Sequence, residues 1–340
     1  MLSTLELDTQ GDHCISVTNV SHYYSSVKAI DHISFNVDYG KVFGFLGPNG
    51  AGKTTMIRVL TTLIPPSSGI VKIFGRDIVK YSSEIRKEIG VVLQQPSAEV
   101  GLTVKQSLDL YGLLWDIPTK KRKRKVSQLL EDFDLSTIQN VRNDELSQGQ
   151  RRRLQVAREF MHDMRLLFLD EPTVGLDVFS RRRLLDYIKQ QVNQGLTVFF
   201  TTHIMEEAEY LCDEIAIINS GTIIASDRTQ DLKRKYSGVK GVEIRLSNPV
   251  THEVLSMIKS KMGNLTIEVL DQECVKIGPL EDPKAIFKTL ELLSEARIEI
   301  KNIAVTPPTL EEVFLNILND HYDTNRKKND MDKRDGQDAN

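Results

Sequence analysis

The stretch GPNGAGKTT, residues 47–55, has the residue types and spacing that handle phosphate. It fits Gly-x-x-x-x-Gly-Lys-Ser/Thr without a mismatch, follows the apolar run VFGFL (42–46) and opens a helical pattern, which is the context the motif needs. Gly47, Gly50 and Gly52 let the backbone around Pro48, Asn49 and Ala51 curl tightly, so that successive N–H groups face inward at phosphate oxygens. Lys53 supplies a point charge to β- and γ-phosphates, and the hydroxyl of Thr54, next to Thr55, suits Mg2+.

Three apolar runs end in polar residues that suit the same chemistry. LLFLDE (166–171) ends in two acids. A carboxylate at the carboxyl end of a parallel strand projects into the ligand crevice, so Asp170 is expected to hold Mg2+ through water and Glu171 to act as general base on an attacking water. The plainer alternative is an acidic strand end beside a helix cap. His203 closes TVFFTTH, where a polar side chain meets a terminal phosphate, although a lone histidine also serves structure. Gln94 closes GVVLQ, and its carboxamide suits a metal ion or water, or else is a solvated strand end. In ELSQGQRRRLQVAREF (145–160), Ser147 reads as a helix N-cap, with Leu154, Ala157, Met161 and Met164 at helical spacing behind it. That is either a capped surface helix or a helix N-terminus that receives an anion.

These residues need a scaffold that brings strand ends together. VFGFL, GVVL (90–93), LLFL (166–169) and TVFF (197–200) are continuously apolar, as strands buried on both faces are. Helical patterns such as Val104–Trp115 and Arg181–Val192 lie between them, which is α/β order. From about Val239 the rhythm changes. VEIRL, LTIEVL, CVKIG and RIEIKNIAV read as strands, and Glu253–Met262 and Pro283–Ala296 as helices, giving the ferredoxin-like order β-α-β-β-α-β. A last helix with Leu310, Val313, Phe314 and Ile317 on one face follows, and then a polar tail expected to be disordered.

Composition narrows the classes. Lys+Arg 44 against Asp+Glu 47 gives a net charge of −3, without the basic excess of a dedicated nucleic-acid binder. Cys14, Cys212 and Cys274 lie far apart, which argues against a disulfide framework or structural zinc and fits a reducing compartment. No apolar run approaches the length of a membrane span, and the N-terminus has no apolar h-region. The basic run PTKKRKRKV (118–126) reads as the solvated face of a helix, ahead of lipid headgroup contact or nuclear import.

Together, GPNGAGKTT, LSQGQ, LLFLDE, GLD and TTH resemble, in order and spacing, the nucleotide-binding subunit of an ATP-binding cassette (ABC) transporter over about residues 15–230. Within that family, VKAIDHISFNVDYGKVFGFLGPNGAGKTT and PPTLEEVFLNIL look like exporters whose ATPase is a chain separate from the permease, such as daunorubicin-type drug-resistance and polysaccharide or lipid exporters. The resemblance implies an α/β P-loop cassette at 15–237, a RecA-like core plus a helical subdomain at about 95–162. The α+β ferredoxin-like domain at 240–320 would regulate or dimerise, and 321–340 would be tail. It implies ATP and Mg2+ as cofactors, ATP hydrolysis, a head-to-tail homodimer and a membrane permease partner. It implies no nucleic acid, and a peripheral place on the cytoplasmic side with membrane contact only through the permease.

By the same resemblance, Ser147, Gly149 and Gln150 meet the γ-phosphate bound by the partner subunit. Asp177 lies in the dimer-contacting loop, Tyr24 stacks on adenine, with Tyr23 the competing choice, and the segment from Gln94 to about Leu110 senses the permease. The family pattern is Leu-Ser-Gly-Gly-Gln, and here Gln148 stands at the first glycine; a positive φ would strain it. Two other classes remain for comparison. A soluble ABC-type ATPase of translation or DNA repair usually carries two cassettes, a coiled-coil insertion or zinc cysteines, none of which is visible. A module that holds ATP without turnover is disfavoured by Glu171 and His203.

Overall fold

The structure is a computed structural model. It describes residues 13–236 except 96 and 98, then 241–252, 255–256, 266–278, 287, 290–291, 293–294, 298–306 and 309–321. The chain divides after Asp227 into two compact units. The first runs β1 (Ile15–Tyr24), β2 (Val27–Val37), β3 (Val42–Leu46), α1 (Lys53–Leu60), β4 (Ser68–Ile73), β5 (Arg76–Asp77), α2 (Ser82–Arg86), β6 (Ile89–Val92), α3 (Val104–Leu114), α4 (Thr119–Asp132), α5 (Gln148–Glu159), β7 (Leu166–Asp170), α6 (Val178–Asn193), β8 (Thr197–Thr201), α7 (Met205–Leu211), β9 (Glu214–Asn219) and β10 (Thr222–Arg228).

Every residue of β3, β7 and β8 is buried, which is why these runs are apolar except for Asp170, Thr197 and Thr201 at strand ends. They lie in a six-stranded sheet of order β10-β9-β3-β8-β7-β6, and the pairings β3–β8, β3–β9, β7–β8 and β6–β7 are parallel. A second sheet, β2-β1-β4-β5, is antiparallel and alternates buried with exposed residues. The two sheets meet through an aromatic core. Phe35 of β2 stacks on Phe43 of β3 with ring centres 5.1 Å apart, and Phe199 of β8 packs against both at 6.0 and 5.7 Å. Truncating Phe199 to alanine removes the centre of this cluster and costs about 3–5 kcal/mol on the usual scale for buried aromatics.

The helix α3 packs against both α4 and α5. α3 opens on a capping box in which Thr103 and Gln106 satisfy each other's backbone N–H groups. On α4 the basic run does what a solvated face should: Val126, Leu129 and Leu130 turn inward, while Lys121 and Lys125 pair with Asp163 and Arg122 with Asp109.

The second unit contains α8 (Thr229–Tyr236), β11 (Gly241–Leu246), β12 (Thr266–Val269), β13 (Cys274–Gly278) and β14 (Ile300–Thr306). Its sheet has the order β12-β13-β11-β14 with every pairing antiparallel, the ferredoxin-like arrangement expected from the strand rhythm. Val242, Ile244, Leu246, Val275, Ile277 and Leu293 form its core. The helices expected at Glu253–Met262 and Pro283–Ala296 fall mostly outside the described residues. The last helix occupies 310–321 with Leu310, Val313 and Ile317 buried, and the tail beyond 321 is outside the described residues.

Candidate active site

Parallel register brings the carboxyl ends of four strands to one edge. Asp170 pairs with Thr201, Val92 with Leu169, and Gly44 with Phe200, so the segments after β3, β6, β7 and β8 leave the sheet side by side. Those segments carry the phosphate loop, Gln94, Glu171 and His203, the residues that the sequence singles out. β6 ends at Val92, two residues before Gln94, so Gln94 stands on the loop rather than at the end of the strand.

The phosphate loop is fixed from beneath. A Cβ on Gly47 would stand 2.3 Å from the carbonyl oxygen of Ile218, and Gly52, with φ +113°, would place one 2.6 Å from the carbonyl oxygen of Ala29. Neither position admits another residue. Pro48 is half-buried and Ala51 buried, whereas Asn49 and Gly50 form the exposed tip. α1 begins at Lys53, and Thr54 and Thr55 lie in its first turn. The contact at Ala29 also brings the β1–β2 hairpin beside the loop. At its turn Tyr23 and Tyr24 are equally exposed (41%); Lys28 lies over the Tyr23 ring, and Tyr24 meets His22 edge-on.

Charged groups converge above the loop. Lys53 Nζ donates to the carbonyl oxygens of Gly47 (2.7 Å) and Pro48 (3.1 Å), and lies 3.9 Å from Glu171 Oε1. Burial pulls the Lys53 ammonium below its ordinary pKa, opposed by Glu171 and Asp170. The Thr54 hydroxyl donates to Asp170 Oδ2 at 3.1 Å, and Thr201 donates to Asp170 Oδ1 at 2.7 Å. Glu171 is 6% exposed. Its Oε2 accepts from Gln94 Nε2 at 3.1 Å and lies 3.4 Å from His203 Nδ1, whose side chain is 51% exposed. Glu171 also holds φ +47°, a left-handed conformation that a non-glycine residue keeps only when its surroundings impose it.

Thr54, Asp170 and the carbonyl of Gln94 are hard oxygen donors, which fits Mg2+. Among the described residues no group of three or more His, Cys, Asp or Glu is arranged to hold a metal on its own.

The Ser147 turn is a different kind of site. Ser147 Oγ accepts from the N–H of Gln150 at 3.2 Å and Gln150 Oε1 accepts from the N–H of Ser147 at 2.9 Å, a reciprocal capping box. The N–H groups of Gln148 and Gly149 come before that of Arg151, which donates to the Ser147 carbonyl, and so lie among the first N–H groups of the helix, which have no intrahelical partner. Gln148 is the first residue of α5 and is not among the positive-φ residues, so the helix accommodates it without strain. Its side chain lies over Gly175, where a Cβ would stand 3.0 Å from Gln148 Cδ. Asp177 caps α6, accepting from the Ser180 N–H (2.9 Å) and hydroxyl (2.7 Å), and these bonds lower its pKa. Among the described residues no hydrogen bond or ion pair joins Ser147, Gly149, Gln150 or Asp177 to the Lys53 loop.

Two residues at the site escaped the sequence reading. Thr201 bonds Asp170 and receives the N–H of Glu171 on its backbone oxygen (3.1 Å) and hydroxyl (3.2 Å); a polar residue ending an apolar strand was the available signal. Arg152 is fully buried and bonds the backbone around Glu171.

The sequence of residues 30–174 matches the ABC transporter family. The chain is 34% identical to a daunorubicin resistance ATP-binding protein of Streptomyces coeruleorubidus, over 91% of this chain and 97% of that protein. It is 34% identical to a Nod factor export ATP-binding protein of Rhizobium etli, over 89% and 92% of the two chains. It is 31% identical to a linearmycin resistance ATP-binding protein of Bacillus subtilis, over 89% and 97%. The fold resembles that of a solved ATP-binding subunit of an ABC transporter, with TM-score 0.62, 26% identity, and 66% of this chain and 93% of that one covered. Among the described residues no helix is long and apolar enough to cross a membrane.

Proposed function

The chain belongs to the ABC transporter ATP-binding proteins and hydrolyses ATP to drive transport, and from that premise we propose how its residues divide the work. It acts as the export ATPase of a separate membrane permease, peripheral on the cytoplasmic side, as a head-to-tail pair of identical subunits. Three relatives named for drug resistance or export, each aligned over nearly its whole length, support this reading.

The observation that carries the catalytic assignment is the setting of Glu171, held among Gln94, His203 and Lys53. Glu171 accepts the proton of the water that attacks the γ-phosphate, giving ADP and phosphate, while Lys53 and the loop N–H groups hold the β- and γ-phosphates. Thr54, Asp170 and Gln94 would hold Mg2+, which when bound would supply charge neutralisation on the phosphates. His203 donates to the terminal phosphate, and Tyr24 stacks on the base.

Ser147 and Gly149 serve the nucleotide of the partner subunit. The Ser147 oxygen accepts within its own capping box, which leaves the hydroxyl proton free to donate outward. The Gly149 N–H adds a second donor on the positive end of a helix. Gln150 keeps that turn shaped, and Asp177 fixes the loop that faces it. The ferredoxin-like unit carries none of these residues and stabilises or regulates the pair.

Glu171→Gln tests the reading. Nucleotide affinity should hold while turnover falls by roughly 10²-fold or more, the usual scale for losing a general base, and ATP-Mg2+ should accumulate a dimer on gel filtration. Near-normal turnover would remove Glu171 from the role.

A further inference from the structure

We infer that Arg152 is a positioning residue, by which α5 holds Glu171 and Gln94 in mutual register. This rests on Glu171 being the general base. The guanidinium of Arg152 is fully buried and has five N–H donors, and all five are used. Nε donates to the carbonyl of Pro172 at 3.0 Å. Nη2 donates to the carbonyls of Asp170, at 2.8 Å, and Glu171. Nη1 donates to the carbonyl of Leu93 at 2.6 Å and to Gln155 Oε1 at 2.8 Å.

The placement of these acceptors gives the arrangement its consequence. The carbonyls of Asp170 and Glu171 belong to the two peptide planes on either side of the Glu171 α-carbon. Fixing both planes fixes φ and ψ between them, and φ of Glu171 is the strained +47°. The carbonyl of Leu93 belongs to the peptide plane that enters Gln94. Gln155, one turn further along α5, donates to the same Leu93 carbonyl at 3.2 Å and to that of Gln95 at 3.3 Å. One guanidinium and its neighbour therefore set the backbone under both partners of the 3.1 Å Gln94–Glu171 hydrogen bond.

Only arginine has this reach. Lysine has one nitrogen and three donors and cannot span carbonyls in two separate loops. Burial pulls the Arg152 pKa down to about 10, with Asp170 and Glu171 opposing, so the cation persists at neutral pH and the clasp does not titrate there. The neighbouring Arg151 and Arg153 do not share the role. Arg151 bonds the carbonyl of Leu146, and Arg153 bonds Asp134 and the carbonyl of Phe133.

Arg152→Lys in the full chain is the test, measured by steady-state turnover and nucleotide affinity. The kcat should fall at least about tenfold, within the roughly 10²-fold loss that a misplacement near 1 Å can cause, while KM and monomer nucleotide affinity hold within about twofold. In a Glu171→Gln background the same change should cause little further loss, because the base whose register with Gln94 is being held is gone. Wild-type kcat in Arg152→Lys, or losses that multiply in the double variant, would overturn the inference. Normal turnover in Glu171→Gln alone would instead overturn the assignment of the base. Should Arg152→Lys not fold, Gln155→Glu keeps the acceptor for Arg152 and removes the donors to Leu93 and Gln95. Its kcat should fall severalfold at unchanged KM, and an unchanged kcat would contradict the account.

Discussion

The Lys53–Asp170–Glu171 cluster and the Ser147 turn are built in opposite ways. The cluster concentrates buried charge, a lysine pulled below its ordinary pKa and a glutamate in a left-handed conformation. The turn is a relaxed helix cap whose side chains satisfy each other and whose spare donors are backbone N–H groups. At Glu171 the strain lies where chemistry is to be done. A surface that has only to meet an anion needs no strain, because a capped helix end already presents the donors and the positive end of its dipole. The two regions also differ in completeness: the cluster finds its partners within one chain, whereas the turn, among the described residues, makes no bond to the cluster.

The largest test of that contrast is Gly149→Asp. A carboxylate about 4 Å from a phosphate costs on the order of 4 kcal/mol at an effective dielectric of 20, about a thousandfold in rate if all of it falls on the transition state. Monomer nucleotide affinity should survive, since that site belongs to Lys53. A Cβ at Gly149 would stand 3.0 Å from the carbonyl oxygen of Gly175, so Gly149→Ala isolates the steric part and should lose far less. Loss of monomer affinity in Gly149→Asp would make the turn part of its own subunit's site.

A smaller effect separates the cap from the side chain beside it. Gln148 contributes its backbone to the turn and lays its side chain over Gly175. Gln148→Gly should therefore change turnover only within a few-fold, although it loosens the helix start by up to about 1 kcal/mol. Turnover that collapses would give the Gln148 side chain a part in the site.

The smallest effect concerns α5, which links the two regions. Glu159 accepts from the N–H of Val91 in β6 at 3.1 Å. Burial raises its carboxyl to about 7, against the opposing pull of the Val91 N–H and Arg158. A folded-state pKa raised above the ordinary value of 4.5 means that the folded chain binds the proton more tightly than the unfolded one. The stability tied to that proton is complete below about 4.5 and is lost as pH rises through about 7. Glu159→Gln should therefore melt a few degrees above wild type at pH 8, on the scale of several degrees per kcal/mol for small domains. The gap should close toward pH 5, and one that does not vary with pH would contradict the raised carboxyl.

Much of this was legible in the sequence because it is written locally. The run 42–46 is a strand to the residue, and the run 166–169 is a strand that extends one residue further, to Asp170, since burial on both faces leaves no polar break before its end. Lys53, Asp170, Glu171, Gln94 and His203 could be placed together because each sits at, or in the segment that follows, the carboxyl end of such a run. Arg152 was not legible. Three arginines in a row look alike, and only the helical phase, relative to carbonyls 18–20 and 59 residues away, turns the middle one inward. With Gln155 and Arg158 it forms a buried polar row at three-residue spacing, which a search for apolar periodicity passes over. The division after Asp227 was likewise unmarked. α8 is polar and charged, so the change in strand rhythm near Val239 comes later than the change of unit.

The claim that a working site combines the Lys53 loop of one subunit with the Ser147 turn of its partner is tested most directly by mixing two inactive variants. A Lys53→Ala subunit keeps an intact turn, and a Gly149→Asp subunit keeps an intact loop. In a mixed dimer the two intact halves meet at one of the two sites. With random exchange half of the dimers are mixed, so equimolar mixing should restore about a quarter of wild-type ATPase activity in a symmetric pair. Activity that stays at the level of the two variants measured separately would contradict a site shared between subunits.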